Sequence, residues 1–444
     1  MSQHDKSGGR SVFAAARVFD GTRALPNHAV VMENGVVVEV VPRDALSRNE
    51  PVWEEPDTTI LPGLIDTHIH FMRWQGPLFL AFGVTTVRDV GNDLDWILQC
   101  RRTWPDRPWP RIFCLGPLLD GPKPLHTTLS RACPDLAGAV AAVRETAAAG
   151  VDGIKLYAGL NREWLPAMVE ETHAWGLKAS IHCGCPALIA ARAGADEFFH
   201  LDGILAEVWP NRPKGWLQVW GAPGFADTWD QQCRVADAIR DLGITTTPTL
   251  AFWDSQWKIL TPDHSQSDEM RGIPEPLIDW QSDGPPNPEK SAQWQRALAA
   301  AQKFVGLLHE RGAPILAGTD VPCGPIPPGW SLWRELALLA GSGLSPEQAL
   351  RSATSDAANF MGRPELGRLA AGSAADLVVV RGNPLAGIPE RPSVAVVVRN
   401  GVVYRTEDLF REAAAARSGW EQDPEAINFQ RHWEKKLAKA AAKG

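Results

Sequence analysis

Apolar positions along this chain follow two different rhythms, and the rhythm changes twice. Near the start they form short β-branched runs at 11–19, 28–32 and 36–41, broken by turns at Asp20-Gly21 and Asn34-Gly35. Asn-Gly between apolar runs is a strong hairpin signal, because both residues tolerate the left-handed backbone that a tight type I′ turn needs. The same character returns at 375–380 and 394–404, again with an Asn400-Gly401 turn. Neither group has enough strands to bury a core alone. The pattern therefore predicts one small β-sandwich made by both chain ends, residues 1–61 and 365–408.

Between them, over 62–364, apolar runs alternate with helical periodicity. Strands are expected at 64–70, 85–90, 111–115, 153–157, 178–183, 197–201, 244–250 and 314–319, with helices at 135–149, 162–175, 229–242 and 292–311 among the connections. Eight strands alternating with helices is the arithmetic of an α/β fold of the (β/α)8 TIM-barrel type, whose functional residues gather at the C-terminal strand ends. Residues 202–232 and 251–291, rich in Trp, Pro and Gly, read as insertions over the barrel mouth. Residues 409–444 read as a helical tail, with the basic, Ala-rich stretch from Arg431 to Lys443 facing solvent.

Composition narrows the function classes. The net charge of -8 across 444 residues sets up a field that repels nucleic acid and anionic membrane surfaces. The opening residues are polar, without the apolar core of a signal peptide, and apolar runs break before membrane-spanning length. Seven cysteines without framework spacing suit free thiols in a reducing, cytoplasmic setting. A small-molecule substrate is the expected partner, and a homo-oligomer is compatible with the sequence.

Polar residues at the ends of apolar strands carry the chemistry. In Thr67-His68-Ile69-His70, alternation sends both imidazoles to one face, where they can hold one metal ion. In Gly153-Ile154-Lys155-Leu156-Tyr157, Lys155 points into the barrel, so it must be neutral, paired or modified. Tyr157 shares its parity and could meet a substrate carbonyl or carboxylate. His182 takes the inward parity in its strand, as does His200 with Phe199 outward, and Asp320 ends the last strand. Arg88 could bind a substrate carboxylate or form an internal ion pair with Asp89 or a neighbouring strand.

The run Pro62-Gly63-Leu64-Ile65-Asp66-Thr67-His68-Ile69-His70 resembles the opening signature of the metal-dependent amidohydrolase superfamily. Asp152-Gly153-Ile154-Lys155, His182, His200 and Gly318-Thr319-Asp320 are similar to its later strand-end motifs. Ala16-Arg17-Val18-Phe19-Asp20-Gly21 and Gly372-Ser373-Ala374-Ala375-Asp376-Leu377-Val378-Val379 resemble its flanking motifs, and the likeness is greatest to imidazolonepropionase-like and prolidase-like members. The resemblance implies two divalent metal ions, zinc first, held by His68, His70, His182, His200, Asp320 and Lys155 as N6-carboxylysine. A water shared by the metals would be acidified towards hydroxide, with Asp320 as catalytic proton carrier. His126, in Pro122-Lys123-Pro124-Leu125-His126-Thr127, falls where related proteins place a substrate-contacting histidine.

Amide hydrolysis, on an N-acyl amino acid or dipeptide-like substrate, is the expected activity. Cyclic amides, lactones or carbamates would present the same carbonyl, and a non-catalytic binding protein is the remaining class. Eight of the 19 tryptophans lie between Gly203 and Trp294: Trp209, Trp216, Trp220, Trp229, Trp253, Trp257, Trp280 and Trp294. Trp253 and Trp257, just after the seventh strand, are expected to wall a pocket for an apolar or aromatic substrate group.

Overall fold

A computed structural model describes residues 9–441 apart from 214–216, 262–263, 265–266, 271, 282–285 and 325. Both chain ends contribute to one sheet, in the order Val402–Arg405, Val394–Arg399, Leu377–Arg381, Thr58–Pro62, Ser11–Phe19, Ala24–Glu33 and Val36–Pro42, with Trp53–Glu54 also beside Ser11–Phe19. The join is Thr58–Pro62, parallel to Ser11–Phe19 and antiparallel to Leu377–Arg381. The expected sandwich of two facing sheets is thus a single ladder that curls until Val36 bridges Ala374. Its interior mixes Phe13, Val30 and Met32 with Leu377, Val379 and Val398. Both Asn-Gly turns take the left-handed backbone, and a Cβ on Gly401 would lie 2.9 Å from the Gly35 Cα.

The middle of the chain has the parallel strand-helix alternation expected of a TIM-type barrel. Leu64–Ile69, Val84–Asp89 and Arg111–Cys114 form one parallel sheet. Ile154–Leu156, Ala179–His182, Glu197–Phe199 and Thr245–Thr247 run parallel in another. Asp152 N donates to Cys114 O at 2.8 Å between the two. On the far side, the extended segment 315–321 bonds both neighbours: Leu316 N to Thr246 O at 3.0 Å, and Thr67 N to Ala317 O at 3.2 Å. The eighth predicted strand is therefore a stretch of isolated bridges rather than a continuous ladder. Helices Gly76–Ala81, Leu94–Thr103, Leu136–Ala148, Leu165–Ala174, Ala187–Arg192, Trp229–Asp241, Pro288–Glu310 and Trp330–Gly341 lie between and after these strands. Asp93, Asp135 and Asn287 cap three of them by accepting from backbone N–H groups of the first turn.

Inside the barrel, below the strand ends, sits a buried ion pair. Arg88 donates to both Glu197 oxygens at 2.7 and 2.8 Å, and its Nε donates to Thr67 O at 2.7 Å. Ser180 and Thr247 hydroxyls each donate to Glu197 at 2.6 Å. Five strands are cross-linked by one carboxylate and one guanidinium.

One expectation about the connections needs correction. Trp220 and Trp253 of the insertions build core: Trp253 is fully buried, edge-on to Trp220 at 5.8 Å and to Trp294, on the helix Pro288–Glu310, at 6.2 Å. Trp216 and the Trp280 side chain lie outside the described residues. The start of the C-terminal helix Pro424–Ala441 is docked, whereas Arg431, Glu434, Lys435 and Ala438 further along it are exposed, as expected of that stretch. Asp423, just before it, is buried and accepts from Arg73 N at 2.8 Å and Arg73 Nε at 2.6 Å. Ala426 packs in a cluster with Met72, Trp74 and Leu277. Residues 442–444, including Lys443, lie outside the described residues.

Truncation after Gly372 should strip Thr58–Pro62 of its partner strand and give insoluble protein; a soluble, cooperatively melting product would refute the shared sheet. Arg88→Met should strand the Glu197 carboxylate and cost about 3–5 kcal/mol in urea unfolding, the usual effect of breaking a buried pair. Arg88→Met with Glu197→Gln should recover part of that loss.

Candidate metal centre

His68 and His70 project from the end of Leu64–Ile69 and the residue after it, as alternation predicts. His70 Nδ1 lies 2.7 Å from Gly91 O, a carbonyl that can only accept, so a neutral ring carries its proton there and keeps the lone pair on Nε2. Asp89 holds that loop, accepting from Phe71 N at 2.7 Å and Asn92 Nδ2 at 2.9 Å. His200 is fixed in the same tautomer. Its Nδ1 is 2.7 Å from Thr249 Oγ1, whose own proton is given to Pro248 O at 2.8 Å. His68 is fully buried, and neither ring nitrogen has a hydrogen-bond partner in the protein.

The histidines converge on Asp320. Its Oδ1 lies 3.2 Å from His68 Nε2 and 3.6 Å from His70 Nε2, and its Oδ2 is 3.9 Å from His200 Nε2. Ligand atoms of His68, His200 and Asp320 fall within 4.8 Å of one another, as do those of His70, Asp320 and Cys323. His182 stands beside His200 with ring centroids 4.7 Å apart, its Nε2 3.8 Å from Asp202 Oδ2. Lys155 is buried, its Nζ 3.7 Å over the Phe199 ring.

Strand parity explains His68, His70, Lys155 and His182 but not His200. Glu197 and Phe199 share a parity, and both face the barrel interior: Phe199 touches His68, ring to ring at 4.2 Å. The expectation that Phe199 points outward is therefore wrong. His200 lies one residue beyond its strand with φ 63°, and this left-handed turn brings its ring back to the centre. Asp320 does the same with φ 66°. Non-glycine residues in that conformation are uncommon and gather at functional sites.

The electrostatics are those of a cage built for cations. Burial holds His68 and His200 well below the usual imidazole range, and burial with nearby Lys155 takes His182 down to about 3. For His70, burial opposes protonation, but Asp320, Glu425 and Asp89 overcome it and push the ring up to about 9. Burial, helped by Arg88, brings Lys155 down to about 7 against the pull of Asp320 and Glu197. Near pH 7 its amine is therefore part neutral and part charged, and the neutral form is the one that reacts with carbon dioxide.

Other candidate residues divide. Tyr157 stands beside His182, ring centroids 5.0 Å apart, and His126 is 5.7 Å from Tyr157, so both line the approach to the centre. Arg88 does not reach a substrate: Glu197 and Thr67 O occupy its guanidinium beneath the site. Trp253 is sealed in the core by Trp220 and Trp294. Trp257 is tied by its Nε1 to Asp254 Oδ1 at 3.1 Å and packs against the same core, so neither tryptophan walls the centre. Alternation could not have found Glu425, buried in the first turn of the C-terminal helix, or Asn428, whose Nδ2 is 3.2 Å from His126 Nδ1. Their signal was a polar stripe within an otherwise helical segment.

These residues fit divalent cations. Two imidazoles held with Nε2 inward, one orphaned buried imidazole, a carboxylate among them and excess negative charge at His70 make a nitrogen–oxygen donor set suited to zinc or its neighbours. The amidohydrolase family model matches residues 59–406, and the NagA composite domain model matches 13–51. A search of curated proteins finds no significant match. Among solved structures, bottromycin amidohydrolase superposes with TM-score 0.70 at 25% identity, covering 95% of this chain and 93% of its own. A Xaa-Pro dipeptidase with bound methionine in its active site gives 0.66 at 19%, covering 89% and 100%. A prolidase complexed with N-methylphosphonate-L-proline gives 0.66 at 20%, covering 89% and 99%. The matched span includes every candidate ligand from His68 to Asp320, and the chain belongs to the amidohydrolase family.

Proposed function

We propose that this protein is a metal-dependent hydrolase of a carbon–nitrogen amide bond, acting on an N-acyl amino acid or dipeptide-like small molecule. The observation that carries the reading is the convergence of His68, His70 and His200 on Asp320, with Nε2 of His70 and His200 left free by their outer hydrogen bonds. His68, His70, His182, His200, Asp320 and Lys155, as N6-carboxylysine, would hold two divalent ions, zinc by preference. Such ions supply a Lewis acid for the carbonyl and make a nearby water more acidic.

The chain's own residues supply the rest. Asp320 stands closest to the imidazole nitrogens and can take the proton of the attacking water at a carboxylate oxygen, then deliver it to the departing amine. The left-handed backbone at Asp320 and the bond from Asp320 N to His68 O at 2.8 Å fix where that proton is held. A carbamate on Lys155 would turn a cationic side chain into an anionic one above the aromatic floor of Phe199. Tyr157 and His126 line the approach and are assigned to substrate contact. Seven free cysteines accord with a cytoplasmic setting, and no helix among the described residues is long and apolar enough to cross a membrane.

Elemental analysis should find about two transition-metal ions per chain, as in other two-metal hydrolases. Lys155→Ala should lose metal and most activity, with partial rescue by a short carboxylic acid; full activity and metal content would exclude the carbamate. Asp320→Asn is nearly isosteric and should fold, yet turnover should fall at least about a hundredfold, the usual scale of a general-base contribution. Retained turnover would assign proton transfer to another group.

A further inference from the structure

The first turn of the helix Pro424–Ala441 carries a carboxylate that the chemistry above leaves unused. Glu425 is 2% exposed, its Oε2 has no hydrogen-bond partner, and it makes no ion pair among the described residues. The nearby Arg73 is committed to Asp423. The charged groups that act on Glu425 electrostatically are His70, Asp89 and Asp320, two of them candidate metal ligands. It belongs to neither group of converging ligand atoms.

The helix is oriented to present this carboxylate. Asn428, three residues on, meets His126 Nδ1 at 3.2 Å, and the His432 ring lies 5.2 Å from the His126 ring. Residues 425, 428 and 432 thus share one helix face, turned towards the approach that His126 and Tyr157 line. A carboxylate kept from water is costly, and burial pushes Glu425 up to about 7 against the pull of His70 and the hydrogen bond from Asn428. In the metal-loaded protein His70 is a neutral ligand, so a cation beside Glu425 must come from outside the chain.

Resting on the amide-hydrolase reading, we propose that Glu425 is a specificity-determining residue that receives the ammonium group of the substrate, selecting aminoacyl amides with a free amine next to the scissile carbonyl. The carbonyl must lie against His70 and Asp320 to react, and Glu425 flanks both, so an α-ammonium group falls within its reach. An N-acylated counterpart brings no charge and would leave the buried carboxylate unpaired, which selects against it.

The test compares dipeptides with their N-acetyl derivatives on zinc-loaded enzyme, alongside calorimetric binding of a free amino acid amide and its N-acetyl form. Wild-type enzyme should prefer the free amine, and Glu425→Gln should lower that preference by roughly tenfold or more, the scale of a lost charge-assisted hydrogen bond. Glu425→Asp should keep part of it. A wild-type preference for the acetylated compounds, or equal losses on both classes in Glu425→Gln, would overturn the assignment even if one variant failed to fold. A fall in bound zinc in Glu425→Gln would overturn it by making the residue a ligand. If no amide is cleaved yet amine binding still depends on Glu425, the subsite stands and the amide-hydrolase reading falls.

Discussion

The segment 315–321 has to be held on both sides for the centre to exist. Thr67 Oγ1 donates to Ala317 O at 2.8 Å, Thr319 Oγ1 to Asp66 Oδ2 at 2.7 Å, Asp320 N to His68 O at 2.8 Å and His70 N to Val321 O at 2.6 Å. Leu316 N bonds Thr246 O on the opposite flank. The approach is so close that a Cβ on Gly318 would lie 2.7 Å from the His68 Cβ. Asp66, buried and pushed up to about 7 by that burial, holds the two chains together with acceptor bonds to Thr319 and the His68 amide. Only with this lock in place do His68, His70 and Asp320 share a space small enough for one cation.

Beneath that layer, Glu197 and Arg88 keep the barrel interior polar where a TIM-type fold is more often filled with branched aliphatic side chains. The pair joins the strands of Thr67, Arg88, Ser180, Glu197 and Thr247, and Phe199 separates it from the metal ligands. Lys155 therefore stands over an aromatic face rather than beside the Glu197 carboxylate. That arrangement desolvates its amine without giving it a permanent counter-ion.

Sequence rhythm made much of this legible. Period-two alternation assigned His68, His70, Lys155 and His182 to the inward face, and each lies in or next to a regular strand. It failed one residue beyond a strand: His200 reaches the site through a left-handed turn, which has no period, and Phe199 takes the inward place assigned to it. The tryptophans misled because residue type records apolar area, not which neighbour covers it; Trp253 is covered by Trp220 and Trp294, contributed from elsewhere in the chain. The docking of the C-terminal helix was hidden for a related reason. Its apolar face is short, and what docks it is polar: Asp423 on Arg73 and Asn428 on His126. Long-range polar contacts leave almost no local trace.

The composite sheet also orders events in time. Thr59 Oγ1 donates to Gly382 O across 323 residues, and Asn428 reaches His126 across 302. A chain emerging from the ribosome must therefore keep Thr58–Pro62, all apolar or small and fully buried in the finished sheet, waiting without one of its partners while the whole barrel is made. Such contacts of high sequence separation slow folding and prolong exposure of a sticky strand edge. Expression of this protein should therefore be more sensitive to chaperone supply and to synthesis rate than its barrel alone would suggest.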